Sequence, residues 1–134
     1  MMPQEKTELL ALLGRHGTWC RDAEARDAEG KPVRFDDPSA VAWDLTGALC
    51  HLYGWQRACV LFSQFDRHIH GKRKQLSWPA TDPDIAAMES LQVFNDRADT
   101  VFATIRELVQ TMPTWRGQSR DASTGPTPAG VAQA

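Results

Sequence analysis

The sequence predicts a mainly α (α+β) fold, a small helical domain of about four or five helices with one β-hairpin near residues 19–35. Three observations predict it. Apolar residues recur at three- and four-residue steps through the middle and towards the end of the chain, which is the signature of helices with one buried face. Two aspartate–proline dipeptides, Asp37-Pro38 and Asp82-Pro83, supply a capping side chain and a residue pre-set for a first helical turn. Between the early and central helical stretches lies a run that alternates every second residue and carries a glycine at its turn.

The first element is a short helix over Thr7–Leu13, built on Leu9, Leu10, Leu12 and Leu13 and punctuated by Gly14 and Gly17. Next, Trp19, Arg21, Ala23 and Ala25 alternate with Cys20, Asp22, Glu24 and Arg26. Val33 and Phe35 resume the step of two after Asp27-Ala28-Glu29-Gly30, so Gly30 is expected at the positive φ of a type I turn with a bulge. Two strands alone are marginal, and this hairpin has to lie against helices.

The central helix is expected to start at Asp37-Pro38 and to run to about residue 65. Its stripe is Val41, Leu45, Ala48, Leu49, Leu52, Trp55, Cys59 and Phe62, with a kink or break at Gly54. Asp82-Pro83 opens a helix through Ile85, Met88 and Leu91. Asn95 or Asp96 is expected to cap the last one, whose face is Ala98, Val101, Phe102, Ile105, Leu108, Val109 and Met112 and whose end is marked by Pro113.

These elements make one globular unit over residues 3–116, a size at which a single core holds without disulfides or metals. From Gly117 to Ala134 the composition turns to Gly, Ser, Thr, Pro, Gln and Ala with no aromatic residue, so 117–134 is expected to be a disordered tail. No apolar stretch reaches the length of a bilayer crossing, and the Glu5, Lys6 and Glu8 charges interrupt any secretory h-region. The expected location is the cytoplasm, with Cys20, Cys50 and Cys59 as free thiols, since they are odd in number and lack CxxC spacing.

One face of the central helix carries Asp44, Gly47, His51 and Gly54 at three- and four-residue spacing, so another part of the chain or a ligand can approach the backbone closely there. The structural reading is a neighbouring helix packed on the small residues with Asp44 and His51 at its margin. The functional reading is a ligand groove rimmed by a carboxylate and an imidazole. Seven residues separate the two by roughly 10 Å along the axis, too far for a direct acid–base dyad.

Charge is distributed unevenly: residues 1–50 carry a net −3, residues 51–80 a net +4 and residues 81–134 a net −3. The basic centre is Arg67, His68, His70, Lys72, Arg73 and Lys74, with Trp78 close behind, read as a loop that is either a solvated connection or an anion- or nucleic-acid-binding patch. His68 and His70 lack the third and fourth partners of a zinc site. Adjacent Cys50 and His51 point about 100° apart on a helix, which is wrong for thiolate catalysis, and only Cys20 with a distant histidine stays open. GxxxxGK[ST], GxGxxG, HExxH and GxSxG are all missing from the sequence. Asp36, Asp37, Asn95 and Asp96 sit where helix caps are expected, and capping explains them better than catalysis.

Three stretches together carry a likeness: Ala25-Arg26-Asp27-Ala28-Glu29-Gly30-Lys31-Pro32-Val33, then Asp37-Pro38-Ser39-Ala40-Val41-Ala42-Trp43-Asp44-Leu45-Thr46-Gly47-Ala48-Leu49, then Phe94-Asn95-Asp96. Their order resembles an uncharacterised family of small bacterial and phage proteins with an ARDAxGxPV hairpin, a DPxAVxWxLxGAL helix and a later ND helix start, over about residues 18–112. Members of that family often have cysteine after the tryptophan, where this chain has Asp44. The resemblance implies no assigned activity and no catalytic residue.

The sequence therefore favours a non-catalytic interaction or accessory module that needs no cofactor or metal and binds another protein or itself. The alternatives are a small-ligand binder or enzyme using the Asp44/Gly47/His51/Gly54 face, and an anion or nucleic-acid binder using residues 67–74.

Overall fold

The computed structural model describes residues 1–71 and 82–114. Among these residues four helices enclose one core: α1 (Pro3–Leu13), α2 (Leu45–His70), α3 (Pro83–Asp96) and α4 (Phe102–Thr111). Three two-residue strands, β1 (Ala25–Arg26), β2 (Pro32–Val33) and β3 (Ala42–Trp43), form an antiparallel sheet in the order β2-β1-β3. Among the described residues no helix is long and apolar enough to cross a membrane.

The hairpin follows its turn chemistry. Gly30 donates its N–H to the Asp27 carbonyl at 2.9 Å and stands at φ 80°, where a side chain would be strained, and Asp27 N–H reaches Lys31 at 3.0 Å. Ala25 pairs with Val33 on one side and with Trp43 on the other. The second pairing brings in a strand that the alternation pattern does not announce, because two residues are too few to show a period.

That strand is also why the central helix does not begin at Asp37-Pro38. The Asp37 carboxylate takes the Ser39 N–H at 2.8 Å and the Ser39 hydroxyl at 2.6 Å, which closes a local turn, and Val41 then donates to the Arg26 carbonyl at 2.9 Å. Residues 41–43 are thus drawn along β1, and α2 starts seven residues later than expected, at Leu45. The break at Gly54 is real: its φ of 81° and ψ of 168° leave the helical region, a conformation that glycine adopts without steric cost. The interruption resets the phase of the stripe. Leu45, Ala48, Leu49, Cys59 and Phe62 are buried as expected, whereas Val41 and Trp55 face outward.

The last helix also starts later than expected. Asn95 and Asp96 end α3 instead of opening α4, whose first turn is closed by the Val101 N–H on the Thr104 hydroxyl at 3.2 Å. Asp82 does cap α3, through the Asp84 N–H at 2.7 Å. Arg67, His68 and His70 belong to the last turns of α2 and not to a loop.

The core gathers Leu9 and Leu13 of α1, Leu45, Leu49, Leu61, Phe62 and Phe65 of α2, Leu91 of α3, and Ile105 and Val109 of α4. Burying side chains of this size contributes about 1.5–3 kcal/mol each. Polar ties hold α1 in register: the Arg57 guanidinium grips Glu5 with two 2.7 Å bonds, the Tyr53 hydroxyl donates to the Glu8 carboxylate at 2.9 Å, and the Lys6 ammonium caps the last carbonyls of α4 at Gln110 and Met112.

Candidate functional site

A dense polar arrangement lies at the N-terminus of α2, where four unpaired N–H groups need acceptors. Asp44, in extended backbone conformation, accepts with Oδ1 from the Gly47 N–H at 2.6 Å and the Thr46 hydroxyl at 2.9 Å. The first helical N–H, from Leu45, goes instead to Oδ1 of Asn95 at 3.1 Å, so a residue of α3 caps the start of α2. The same oxygen accepts from the Trp19 indole at 2.8 Å. The Asn95 amide nitrogen donates to the Cys20 carbonyl at 3.1 Å and to Asp96 Oδ1 at 2.9 Å. Asn95 is fully buried and has all its hydrogen-bonding groups engaged.

Around this hub the 18–24 segment is held on both sides. The Trp43 backbone bonds to both flanks of Trp19, accepting the Cys20 N–H at 3.0 Å and donating its own N–H to the Thr18 carbonyl at 2.8 Å. Asp22, at φ 65°, gives its N–H to Asp96 Oδ1 at 2.8 Å, and the Arg21 guanidinium donates to the Thr100 carbonyl. Glu24 lies against Gly47: a Cβ on Gly47 would overlap the Glu24 carbonyl oxygen and stand 2.9 Å from its carbon. The close approach expected from the small residues therefore exists, but the approaching partner is the backbone just before β1 and not a helix.

The four face residues stand in different settings. Asp44 is 1% exposed, and Gly47 is buried beneath Glu24. His51 is exposed and stacks on the Trp43 indole, with ring centroids 4.5 Å apart and planes 27° from parallel, while the Trp43 indole N–H donates to the Phe35 carbonyl at 3.1 Å. Gly54 is exposed at the helix break. Of the basic group, Arg67 is exposed, His68 Nε2 meets the Thr111 hydroxyl at 3.0 Å, and His70 Nε2 meets the Ser90 hydroxyl at 3.1 Å, itself bonded to Asp66 at 2.6 Å. Lys72, Arg73, Lys74 and Trp78, like the 117–134 segment, lie outside the described residues.

Electrostatics sort the reactive groups. Burial, with Asp44 and Asp96 nearby, pushes the Cys20 thiol up to about 12, and burial with Glu24 and Cys59 does the same for Cys50. Both are thus held as thiols at neutral pH, the form without nucleophilic power. Burial also raises the Asp44 carboxyl to about 7, against the Gly47 N–H and Thr46 hydroxyl that favour its charge, with Asp96 and Glu24 adding to the rise. Among the described residues no group of three or more His, Cys, Asp or Glu side chains is placed to hold a metal ion.

The sequence singles out Asp44, Gly47 and Asn95 but not the roles they take here, and it does not single out Thr46. Asn95 acts on a helix fifty residues away in sequence, which no local pattern reveals. Asp44, Thr46 and Gly47 do carry a local signal, an Asx residue three positions before a small residue at the head of an apolar run, but the stronger aspartate–proline signal upstream outweighed it. No protein family, curated protein or solved structure matches this chain.

Proposed function

We propose that this chain is a non-catalytic interaction or accessory module that binds another protein or a second copy of itself. One observation carries the reading: the side chains best suited to chemistry are committed to holding the fold, while a large aromatic residue is left outside. Asp44, Asn95, Asp96 and Cys20 are engaged in capping α2 and anchoring the 18–24 segment. Trp55, beside the Gly54 break, is 45% exposed and is the one exposed aromatic side chain among the described residues. Its ring meets Phe62 edge-on, with centroids 6.0 Å apart, and leaves nearly half its surface outside the core, and tryptophan is among the residue types that most often anchor an interface. The three motif stretches behind the family resemblance converge on the start of α2, which supports a shared scaffold more than a shared chemistry. Three free cysteines fit a reducing compartment, so the reading places the module in the cytoplasm.

The test is Trp55→Ala, followed by sedimentation equilibrium of the pure protein and by quantitative crosslinking in cells. Unfolding stability should stay within about 1 kcal/mol of the parent, while self-association or one stoichiometric crosslinked partner should be lost. A chain that is monomeric at every concentration, with an identical crosslinking profile for parent and variant, refutes the reading.

A further inference from the structure

Asp44 presents its carboxyl group where donors reach only one oxygen. Oδ1 takes the Gly47 N–H and the Thr46 hydroxyl, whereas Oδ2 accepts no hydrogen bond from any described residue, in a side chain almost wholly shielded from water. An ionised carboxylate in that setting leaves a charged oxygen without partner or solvent; protonation on Oδ2 removes the charge and keeps both bonds on Oδ1. The groups that face it from neighbouring segments are Cys20 and Glu24 ahead of β1 and Asp96 at the end of α3. Arg26, the cation on β1, directs its guanidinium to the carbonyls of Arg21 and Gly30. The positive end of α2 favours the carboxylate, but two neighbouring acids and burial oppose it.

Both acids also hold the 18–24 segment. The Glu24 carbonyl accepts the Asp44 N–H at 3.2 Å and its carboxylate accepts the Phe35 N–H at 2.9 Å, while Asp96 accepts the Asp22 N–H. A charge arriving on Asp44 repels the two carboxylates that fasten this segment.

We propose that the Asp44 cap is a proton-operated clamp, which holds the 18–24 segment against β3, α2 and α3 when Asp44 is protonated and loosens it when Asp44 ionises. The direction follows from linkage. The folded chain retains a proton on Asp44 that the unfolded chain has already released, so the stabilisation is complete at the acidic end and is lost as pH rises through the folded-state value.

The experiment compares the parent with Asp44→Asn, a neutral variant that keeps the Oδ1 acceptor, by thermal melting and hydrogen exchange at about pH 5.5 and about pH 8. The parent should melt lower at the alkaline pH by about 4 °C or more, with the amides of 18–24 exchanging faster than their intrinsic pH dependence dictates, and the variant should show neither change. The two proteins differ at position 44 alone, so the difference isolates Asp44. Equal pH responses in the two proteins overturn the proposal. Should the variant not fold, the Asp44 carboxyl carbon is titrated in the parent by NMR. A midpoint between about pH 6 and about pH 8 supports the clamp, and one below about pH 5 overturns it.

Discussion

Replacing Asn95 with alanine removes one amide group and leaves four partners to be resolved. The Asp96 carboxylate is half-buried and regains water. The Leu45 N–H is sealed in the core, and the Trp19 indole N–H and the Cys20 carbonyl are only partly accessible. A buried polar group without a partner costs about 1–3 kcal/mol, so three such groups, discounted for partial hydration, put the loss at about 3–5 kcal/mol. A domain of this size is stable by roughly 5–15 kcal/mol. The variant should therefore lose a large share of its stability in urea-induced unfolding followed by circular dichroism and tryptophan emission. A double-mutant cycle with Trp19→Phe, which deletes only the indole donor, should return a coupling of about 0.5–1.5 kcal/mol. Asn95→Asp separates a polar hub from a mere space-filler, because its shape is conserved but its amide donors become an acceptor against the Cys20 carbonyl and Asp96. That variant should be as damaged as the alanine form near neutrality and should recover part of its stability on acidification, as a protonated carboxyl regains a donor. A loss under about 1 kcal/mol for Asn95→Ala, or no coupling to Trp19, refutes the hub.

Gly47→Ala should destabilise in the same assay by about 1–3 kcal/mol. Overpacking against the Glu24 carbonyl and loss of its bond from Asp44 outweigh the roughly 1 kcal/mol that alanine gains in helix propensity; a stabilised variant would show that the Glu24 backbone does not press on the helix. On α1, burial pushes the Glu5 carboxyl up, but the Arg57 guanidinium and the Met2 N–H hold it below its ordinary 4.5. A depressed carboxyl stabilises above its unfolded-state value and loses that contribution as pH falls through the folded one. Glu5→Gln should thus cost about 1 kcal/mol near neutrality, with the gap to the parent closing in acid; a gap independent of pH means the side chain acts by packing alone.

What the sequence made legible, and what it did not, divides by the range of the interaction. The Gly30 turn, the Asp82 cap and the Gly54 break are set by residues within a few positions of one another, and each stands where local chemistry places it. Asp37-Pro38 shows the limit of the same logic. An aspartate before proline closes a turn or caps a helix with the same atoms, and only the pairing of Val41 with Arg26 decides for the turn. Once that pairing draws residues 41–43 onto the sheet, the helix must find its cap later, and Asp44 with Thr46 and Gly47 provides it. The Asn-Asp pair at 95–96 was legible as a capping element but not as a cap for a helix so distant in sequence; its partners Trp19, Cys20 and Leu45 come from parts of the chain that meet only after α2 and α3 have packed. The polar hub around Asp44 and Asn95 is thus built from groups that only tertiary packing brings together. Because those groups depend on tertiary packing for their partners, the protonation of Asp44 and the seating of the 18–24 segment respond to the folded state as a whole.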